Sequence, residues 1–354
     1  MTDPNLRYTD IEDDLRASVR DLLADRAAPE STLARFEAGE HDLDLWRALA
    51  ELGATTLHLP EELGGQGASY RETAVVAEEL GAAVAPVPFL GSAVLASAAL
   101  WHLADDDDAR ALLSDGGAVA VLAVPLSTWD STAELRVDGG VVGTVRSVAD
   151  AAAADVLVVP ADGALHLVDA RAARITPVLA LDQTRPLADV EFTGAPGTQV
   201  AGSGPDAVRA ALLAGAGILA AEQVGLAQRC LDITVDYLRQ RHQFGRPVGS
   251  FQALKHRLAD LWQRIVLARA AARAAADALT TGVDVPVSVS VAQSLCAAVA
   301  VQAAEECVQL HGGIGMTWEH PAHLYLKRAK ASEIALGTPG RHRAALAPLV
   351  DLPG

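Results

Sequence analysis

The residues best suited to chemistry lie in two short segments of the C-terminal half of the sequence. The first begins at Arg241, whose planar guanidinium can hold a diphosphate through two parallel hydrogen bonds, a grip that lysine cannot make. The second ends in Gly312 and Gly313, where a backbone without side chains can approach a ligand closely and direct amide hydrogens at it. Together the segments supply the candidate ligand-binding residues Arg241, Gln243, Phe244, Phe251, Gln252, Gln309, Gly312 and Gly313.

Each of these residues also has a simpler interpretation. An arginine at a helix end is commonly a surface residue, and a Gly-Gly pair after a helix commonly forms a C-cap and a turn. Gln309, one helical turn before the glycines, could hydrogen-bond the edge of a base or a ribose. Phe244 could cover the face of a flat ligand or close the end of a helical bundle, and the sequence leaves this choice open. The proximity of Phe244 and Gln252 favours the ligand role for Arg241.

The composition limits the classes of protein that the sequence can encode. The 354 residues carry a net charge of −17, which argues against nucleic acid and anionic membrane surfaces as partners. Hydrophobic residues make up 51% and aromatic residues 4% of the chain, a bias that suits closely packed, alanine-rich helices. The cysteines Cys230, Cys296 and Cys307 fall in apolar helical stretches without metal-ligand spacing, and we predict that they are reduced core residues.

The N-terminus and the apolar runs indicate a cytoplasmic protein. Residues 1–7 lack the basic and apolar regions of a signal peptide. Charges or prolines interrupt the apolar runs, so no stretch is expected to span a membrane. No metal site is predicted, because the acidic run at 105–108 lacks the glycine and the bidentate glutamate of a calcium loop and is interpreted as a solvated turn.

The hydrophobic patterning predicts an α+β fold with three domains. Residues 1–115 show helical spacing and form an N-terminal α-helical domain. Residues 116–200 contain β-prone runs between glycine turns and form a small middle β-domain, whose predicted strands are 118–124, 156–159 and 164–168. Residues 201–354 return to long helical patterns, which predict a C-terminal four-helix bundle. The predicted bundle helices cover residues 206–240, 251–281, 285–310 and 321–348.

Four blocks of the sequence, in the right order, resemble the acyl-CoA dehydrogenase family. The third block reads Arg-x-x-Phe-Gly, then Phe-Gln, then Leu-Ala-Asp, and the fourth contains Gln-x-x-Gly-Gly. The first two are similar to the family's N-terminal loop and to the end of its middle domain. The blocks are residues 59–62, 184–190, 241–260 and 309–329. The resemblance therefore spans nearly the whole chain.

This resemblance implies the acyl-CoA dehydrogenase fold, FAD as the cofactor and an acyl-CoA thioester as the substrate. In this family a carboxylate removes the α-proton while a hydride passes to FAD, and the reaction requires that the carboxylate be well placed in a dry pocket. The resemblance further implies that the Arg241 and Gln309 segments serve a FAD that lies across a subunit interface, in the site of a neighbouring subunit.

The residue that the family uses as its base is missing from this sequence. The family's Ile-x-Glu-Gly-Thr run corresponds to residues 334–338, where Leu336 replaces the glutamate. Some members place the base on the first bundle helix instead, at the position of Gly215, which has no carboxylate either. Glu222, two turns further along that helix, is the best remaining candidate for a catalytic base.

The middle domain also departs from the family, at the two segments that would contact the flavin ring. Residues 126–132 and 145–150 stand in their places. This pattern resembles the base-lacking subunit of actinobacterial heteromeric acyl-CoA dehydrogenases, and predicts a homologous, Glu-bearing partner with two copies of each chain, acting on a steroid side-chain or fatty acyl-CoA. Three alternatives stay open: a self-sufficient homotetramer that uses Glu222, a flavin-free scaffold protein, and a flavin monooxygenase on the same fold.

Overall fold

The N-terminal part of the chain is helical. The computed structural model describes residues 5–26, 38–114, 116–130 and 135–350. The α-helices of this part are α1 (Asp10–Arg26), α2 (Leu43–Glu51), α3 (Tyr70–Ala83), α4 (Ser97–His102) and α5 (Asp107–Ser114). Ser69 and Glu72 form a reciprocal capping box that starts α3. A π-helix, Phe89–Ala96, runs directly into α4 and is buried along its whole length.

Two four-stranded sheets form the middle of the chain. The strands are β1 (Ala120–Leu122), β2 (Arg136–Val137), β3 (Val141–Ala149), β4 (Val156–Ala161), β5 (Ala164–Asp169), β6 (Arg174–Val178), β7 (Leu187–Ala195) and β8 (Thr198–Val200). One sheet has the order β1-β4-β5-β8 and the other β2-β3-β7-β6. Only the β1–β4 pairing is parallel among these strands. The three predicted strand runs are confirmed as β1, β4 and β5.

Long helices form the C-terminal part and pack into a bundle. They are α6 (Gly204–Gln240), α7 (Gln252–Thr281), α8 (Val285–His311), α9 (Ala322–Ile334) and α10 (Pro339–Leu349). A short hairpin, β9 (His242–Gln243) with β10 (Arg246–Pro247), joins α6 to α7. The α+β architecture predicted from the sequence is confirmed.

The prediction of one continuous helix over residues 321–348 is wrong. The chain leaves the helical conformation after α9, and Leu336 adopts a left-handed backbone conformation with φ +50°. Thr338 then caps α10 through its side chain, and Pro339 occupies the first turn, where proline is well tolerated. Residues 335–338 are therefore an irregular connection, and Leu336 lies in it rather than on a helix face.

The expectation that no stretch could span a membrane also needs correction. The helices 204–240 and 285–316 are long and apolar enough to do so, but 89% and 61% of their apolar windows are buried inside the protein. They are core helices of the bundle. Cys230, Cys296 and Cys307 are buried and form no disulfide within the part of the chain that the structure describes, which confirms them as core residues.

Helices α3 and α6 cross with their backbones in contact. A Cβ added at Gly225 would lie 1.8 Å from the Glu78 carbonyl oxygen, and one added at Gly81 would lie 2.1 Å from the Glu222 carbonyl oxygen. Only glycine permits so close an approach at both positions. The crossing fixes the turn of α6 that carries Glu222 against the N-terminal helices.

Candidate functional site

The first predicted segment forms an exposed end of the bundle. Arg241 ends α6, where its amide donates to the Tyr237 carbonyl and its own carbonyl accepts from the Val248 amide. Its side chain is exposed and has no ion-pair partner among the described residues. Phe244 lies in the β9–β10 hairpin that follows, with φ +53° and a side chain that is 90% exposed. Phe244 therefore does not close the bundle of its own chain, which answers the question that the sequence left open.

The remaining residues of this segment surround Phe251. Its ring meets Phe244 edge-on at 6.2 Å, and the Arg246 guanidinium lies over the Phe251 ring at 3.9 Å. Gln243 and Gln252 are both exposed, the first in the hairpin and the second at the start of α7. The segment thus presents two amides, two aromatic rings and the guanidinium groups of Arg241 and Arg246 to the outside.

The second predicted segment lies at the end of α8. Gln309 is exposed in the last turn, and Gly312 has φ +63°, a conformation that favours glycine. The Gly312 amide caps the helix by donating to the Gln309 carbonyl, so the expectation that it points at a ligand is wrong. Among the described residues, apart from the immediate chain neighbours, no atom lies within 4 Å of a Cβ built at either Gly312 or Gly313, so the surface there is open to close approach.

A ring contact joins the two segments. Tyr237, one turn before Arg241, stacks on His311 with ring centroids 4.5 Å apart, and His311 directly precedes Gly312. One end of the bundle therefore combines an exposed guanidinium, exposed aromatic surface and an open glycine pair. Such a surface fits a ligand that has both a diphosphate and a flat ring system.

The position of Leu336 is closed. Leu336 is fully buried, its amide donates to the Leu126 carbonyl at 2.8 Å, and its carbonyl accepts from His342 Nε2 at 3.0 Å. A Cβ built at Gly215 would lie 2.9 Å from Leu336 Cδ1 and 2.4 Å from Leu95 Cδ2. The two positions at which the sequence comparison placed a possible base are therefore neighbours, and leucine side chains fill the space between them.

Further hydrogen bonds hold the segment around Leu336 in place. The buried amide of Gln223 donates to the Ser332 carbonyl at 3.1 Å, and the buried amide of Gln293 donates to the Ala335 carbonyl at 3.4 Å. The Trp129 ring packs edge-on against His342 with centroids 4.1 Å apart. None of these partners carries a local sequence signal for this role, so none could be predicted from the sequence.

Glu222 lies in a buried ion-pair network. Its carboxylate contacts Arg185 Nη2 and accepts from Arg328 Nη1 at 2.8 Å, while Arg328 Nε donates to Asp182 at 2.6 Å. Burial by itself would raise the pKa of Glu222, but the two guanidinium groups outweigh it and lower the pKa. A general base in this chemistry needs a raised pKa, so this environment suits a structural anion rather than a base.

A large cavity lies beside the closed segment. Its volume is about 1040 Å³, and residues of the β-rich region and of the start of α6 line it, among them Trp129, Arg136, Arg209 and Leu212. Neither Leu336 nor Glu222 lines this cavity. The space is large enough for a small-molecule ligand.

Comparison with known proteins assigns the family. Residues 9–115 match the N-terminal domain and residues 202–348 the C-terminal domain of acyl-CoA dehydrogenases. The sequence is 37% identical to the acyl-CoA dehydrogenase IpdE2 of Mycobacterium tuberculosis, over 96% of this chain and 95% of that protein. The chain belongs to the acyl-CoA dehydrogenase family, a family of oxidoreductases whose cofactor is FAD.

Two solved structures are similar over nearly the whole chain. The ChsE4-ChsE5 complex of Mycobacterium tuberculosis matches with a TM-score of 0.87 and 28% identity, covering 99% of this chain and 100% of that one. The Tcur3481-Tcur3483 steroid acyl-CoA dehydrogenase matches with a TM-score of 0.82 and 28% identity, covering 96% of this chain and 97% of that one. Each of these structures pairs two different proteins.

Proposed function

We propose that this chain is a subunit of an FAD-dependent acyl-CoA dehydrogenase and that it completes the flavin site of a homologous partner subunit while having no dehydrogenation site of its own. The observation that carries the proposal is the closure around Leu336. The substrate class is an acyl-CoA thioester, with a steroid side-chain or a fatty acyl group.

The closed segment leaves this chain without a side chain that could accept the α-proton of the substrate. FAD, when bound, would supply the acceptor for a hydride from the β-carbon, and the reaction would also need a carboxylate that removes the proton from the α-carbon. Leu336 cannot accept a proton, its backbone amide is bonded to Leu126, and Leu95 fills the adjoining space. Glu222 is held as an anion between two guanidinium groups. A partner subunit must therefore supply the base.

The open end supplies the other half of a shared site. Arg241 would hold the FAD diphosphate, the glycine pair would allow close approach of the cofactor, and Gln309 would hydrogen-bond its adenine or ribose. Exposed apolar side chains at this end, such as Met316 at 79% and Trp318 at 63%, are typical of a surface that another chain covers.

The outer face of α7 supports an obligate assembly. Trp262, Val266 and Leu267 are all exposed on this one helix. Buried interfaces between obligate partners commonly exceed ~2,000 Å² and are rich in such residues. The two solved structures that pair different proteins support a hetero-oligomer over a homotetramer. The assembly that we propose contains two copies of each chain. The net charge of −17 supports a cytoplasmic complex free of nucleic acid and membrane.

Turnover of acyl-CoA by the separate and the combined subunits tests the proposal. We expect that the purified chain alone reduces no electron acceptor with fatty acyl-CoA or steroid side-chain CoA thioesters. Co-expression with a Glu-bearing homologue should give activity that disappears when the partner's glutamate is replaced by glutamine. Robust turnover by the isolated chain would contradict the proposal, and its loss on Glu222→Gln would assign the base to Glu222 in a self-sufficient enzyme. A flavin-free complex would instead favour a scaffold protein.

A further inference from the structure

A column of three aromatic rings lies at the open end of the bundle. Tyr237 of α6 stacks on His311 of α8 at an interplanar angle of 26°, and the ring centroids of His311 and His320 are 4.3 Å apart. His320 belongs to the loop that connects α8 to α9. The ring column, formed by Tyr237, His311 and His320, therefore joins three segments that are separate in the sequence.

The central ring of the column is held from two sides. The His311 side chain is buried, and its Nδ1 donates to the Cys307 carbonyl at 2.7 Å. The turn Gly312–Met316 folds back over this histidine. A Cβ built at Gly315 would lie 2.9 Å from His311 Cβ and 2.4 Å from the Val308 carbonyl oxygen, so only glycine lets the turn pack so closely. The hydrogen bond and the turn together fix the position of the His311 ring.

The third ring of the column is anchored to the start of α9. His320 Nδ1 accepts from the Ala322 amide at 3.2 Å. The neighbouring Trp318 ring meets His323 of α9 edge-on with centroids 4.9 Å apart, and the Lys327 ammonium lies over the Trp318 ring at 4.1 Å. The loop that carries His320 is therefore attached both to the ring column and to α9.

Two rings of the column lie next to candidate cofactor-binding residues. Tyr237 is one helical turn before Arg241, and its carbonyl accepts from the Arg241 amide at 2.8 Å. His311 directly precedes Gly312, which begins the turn that contains the glycine pair. The stack of Tyr237 on His311 therefore sets the spacing between the end of α6 and the end of α8. Stiff, flat side chains with few rotatable bonds suit such a spacer.

We propose that Tyr237 and His311 are positioning residues for FAD, because their stack holds the Arg241 guanidinium and the backbone of the glycine pair at the spacing that one cofactor molecule needs. This inference rests on the proposed function, since it requires that FAD bind at the open end. Neither ring has to touch the cofactor. A ligand that is held at two points binds tightly when both points are already in place, because binding then orders fewer groups.

Replacement of the Tyr237 ring tests the proposal in the assembled complex. Tyr237→Leu removes the stack on His311 and should weaken FAD binding about tenfold. Tyr237→Phe keeps a ring at this position and should restore the affinity of the wild-type complex, because the stack does not use the hydroxyl. Equilibrium dialysis followed by flavin absorbance measures the dissociation constant of FAD in each complex and needs no turnover.

A second tyrosine–histidine stack in the same chain provides a matched control. Tyr70 of α3 stacks on His58 with ring centroids 4.6 Å apart and an interplanar angle of 19°, and it belongs to the N-terminal helical part. Tyr70 is buried, whereas Tyr237 is half-buried. Tyr70→Leu should therefore lower the thermal unfolding temperature at least as much as Tyr237→Leu, yet leave the affinity for FAD unchanged.

Arg241→Ala in the same complex separates failure of this inference from failure of the proposed function. If Arg241→Ala loses FAD while Tyr237→Leu retains it, the positioning role is overturned and the proposed function stands. If neither variant loses FAD, the proposed function fails and this inference fails with it.

Two further results decide between positioning and stability. Equal loss of FAD in Tyr237→Leu and Tyr70→Leu would show that the effect comes from stability alone, and would overturn the proposal. If Tyr237→Leu does not assemble, His311→Gln takes its place, because glutamine removes the ring but keeps an amide that can donate to a carbonyl. The same loss of about tenfold is expected, and full retention of FAD by His311→Gln would contradict the proposal.

Discussion

The closed segment around Leu336 and the open end around Arg241 belong to the same helical bundle but differ in almost every physical property. Leu336 is buried, and its backbone is hydrogen-bonded at both its amide and its carbonyl. Arg241, Phe244 and Gly313 are exposed, and apart from its chain neighbours no described atom lies within 4 Å of a Cβ built at Gly313. The comparison shows that one bundle combines an exposed surface at one end with a buried position that leucine side chains fill.

The largest expected effect is the loss of stability when the buried ion-pair network around Glu222 is broken. Glu222→Gln leaves the guanidinium groups of Arg185 and Arg328 without their shared carboxylate, which should lower the free energy of unfolding by about 3–5 kcal/mol. Urea unfolding at pH 7 measures the change. The control is Glu191→Gln, which removes the exposed ion pair with Arg174 and should change the free energy by less than ~0.5 kcal/mol.

The same pair of variants predicts a pH dependence. The folded protein lowers the pKa of Glu222. This contribution to stability is therefore fully present above about pH 5 and is lost as the pH falls through the folded pKa. Glu222→Gln should lose less stability than wild type between neutral and acidic pH, while Glu191→Gln should follow wild type. If the free energy of unfolding of all three proteins fell in parallel with pH, the lowered pKa of Glu222 would not contribute to stability.

The next effect concerns the open end. Arg241→Ala should weaken FAD binding in the assembled complex by about ten- to hundredfold, because it removes a charge-assisted contact worth about 1.5–3 kcal/mol. Gel filtration followed by flavin absorbance measures the loss. Arg239→Ala is the matched control, since Arg239 lies two residues earlier and only forms an exposed pair with Asp236. Equal flavin retention by both variants would show that Arg241 is merely structural.

Two glycine substitutions separate packing from ligand approach. Gly225→Ala places a Cβ 1.8 Å from a backbone oxygen of α3 and should cost about 1–3 kcal/mol in stability as the helices move apart. Gly313→Ala meets nothing within 4 Å, so it should leave thermal unfolding unchanged yet reduce flavin retention in the complex. If Gly313→Ala kept full flavin content, close approach of the cofactor at this glycine would be refuted.

The smallest expected effect is on activity. Leu336→Glu restores the missing carboxylate, but Leu95 fills the adjoining space and the Leu336 amide stays bonded to Leu126. The variant should therefore gain no turnover as an isolated chain and should not change the flavin content of the complex. A steady-state assay with a dye acceptor measures the turnover. Measurable turnover by the variant alone would show that the chain retains a usable substrate pocket that lacks only a base.

The sequence could predict the features that have local signals. Helical periodicity and the ordered motif blocks identified the fold and FAD. They also named Arg241 and Gly312 as candidate binding residues, and the structure places both at the open end. The break between α9 and α10 also had a local signal in Gly337 followed by a Thr338-Pro339 helix start, but the helical pattern on both sides obscured it. The long strands β3 and β7 were not predicted. They pair with each other over most of their length, and strand preference depends on such cross-strand packing more than on the local sequence.

Tertiary contacts could not be predicted in the same way. Leu126, which bonds the Leu336 amide, and Leu95, which fills the space beside Leu336, are ordinary residues far from it in the sequence. His342 lies only six residues away, but nothing in its local pattern indicates the bond to the Leu336 carbonyl. Glu222 looked like a free carboxylate because its partners Arg185 and Arg328 lie 37 and 106 residues away. Glu222 becomes a structural anion only because folding brings these two distant arginines against its carboxylate.

The ratio of FAD to chain in purified protein tests the central claim most directly. If this chain completes a partner's site and has none of its own, the isolated chain should carry no flavin, and the complex should contain half as many FAD molecules as chains. Arg241→Ala in this chain should then empty that single kind of site. Stoichiometric FAD on the isolated chain, or one FAD for every chain in the complex, would contradict the account.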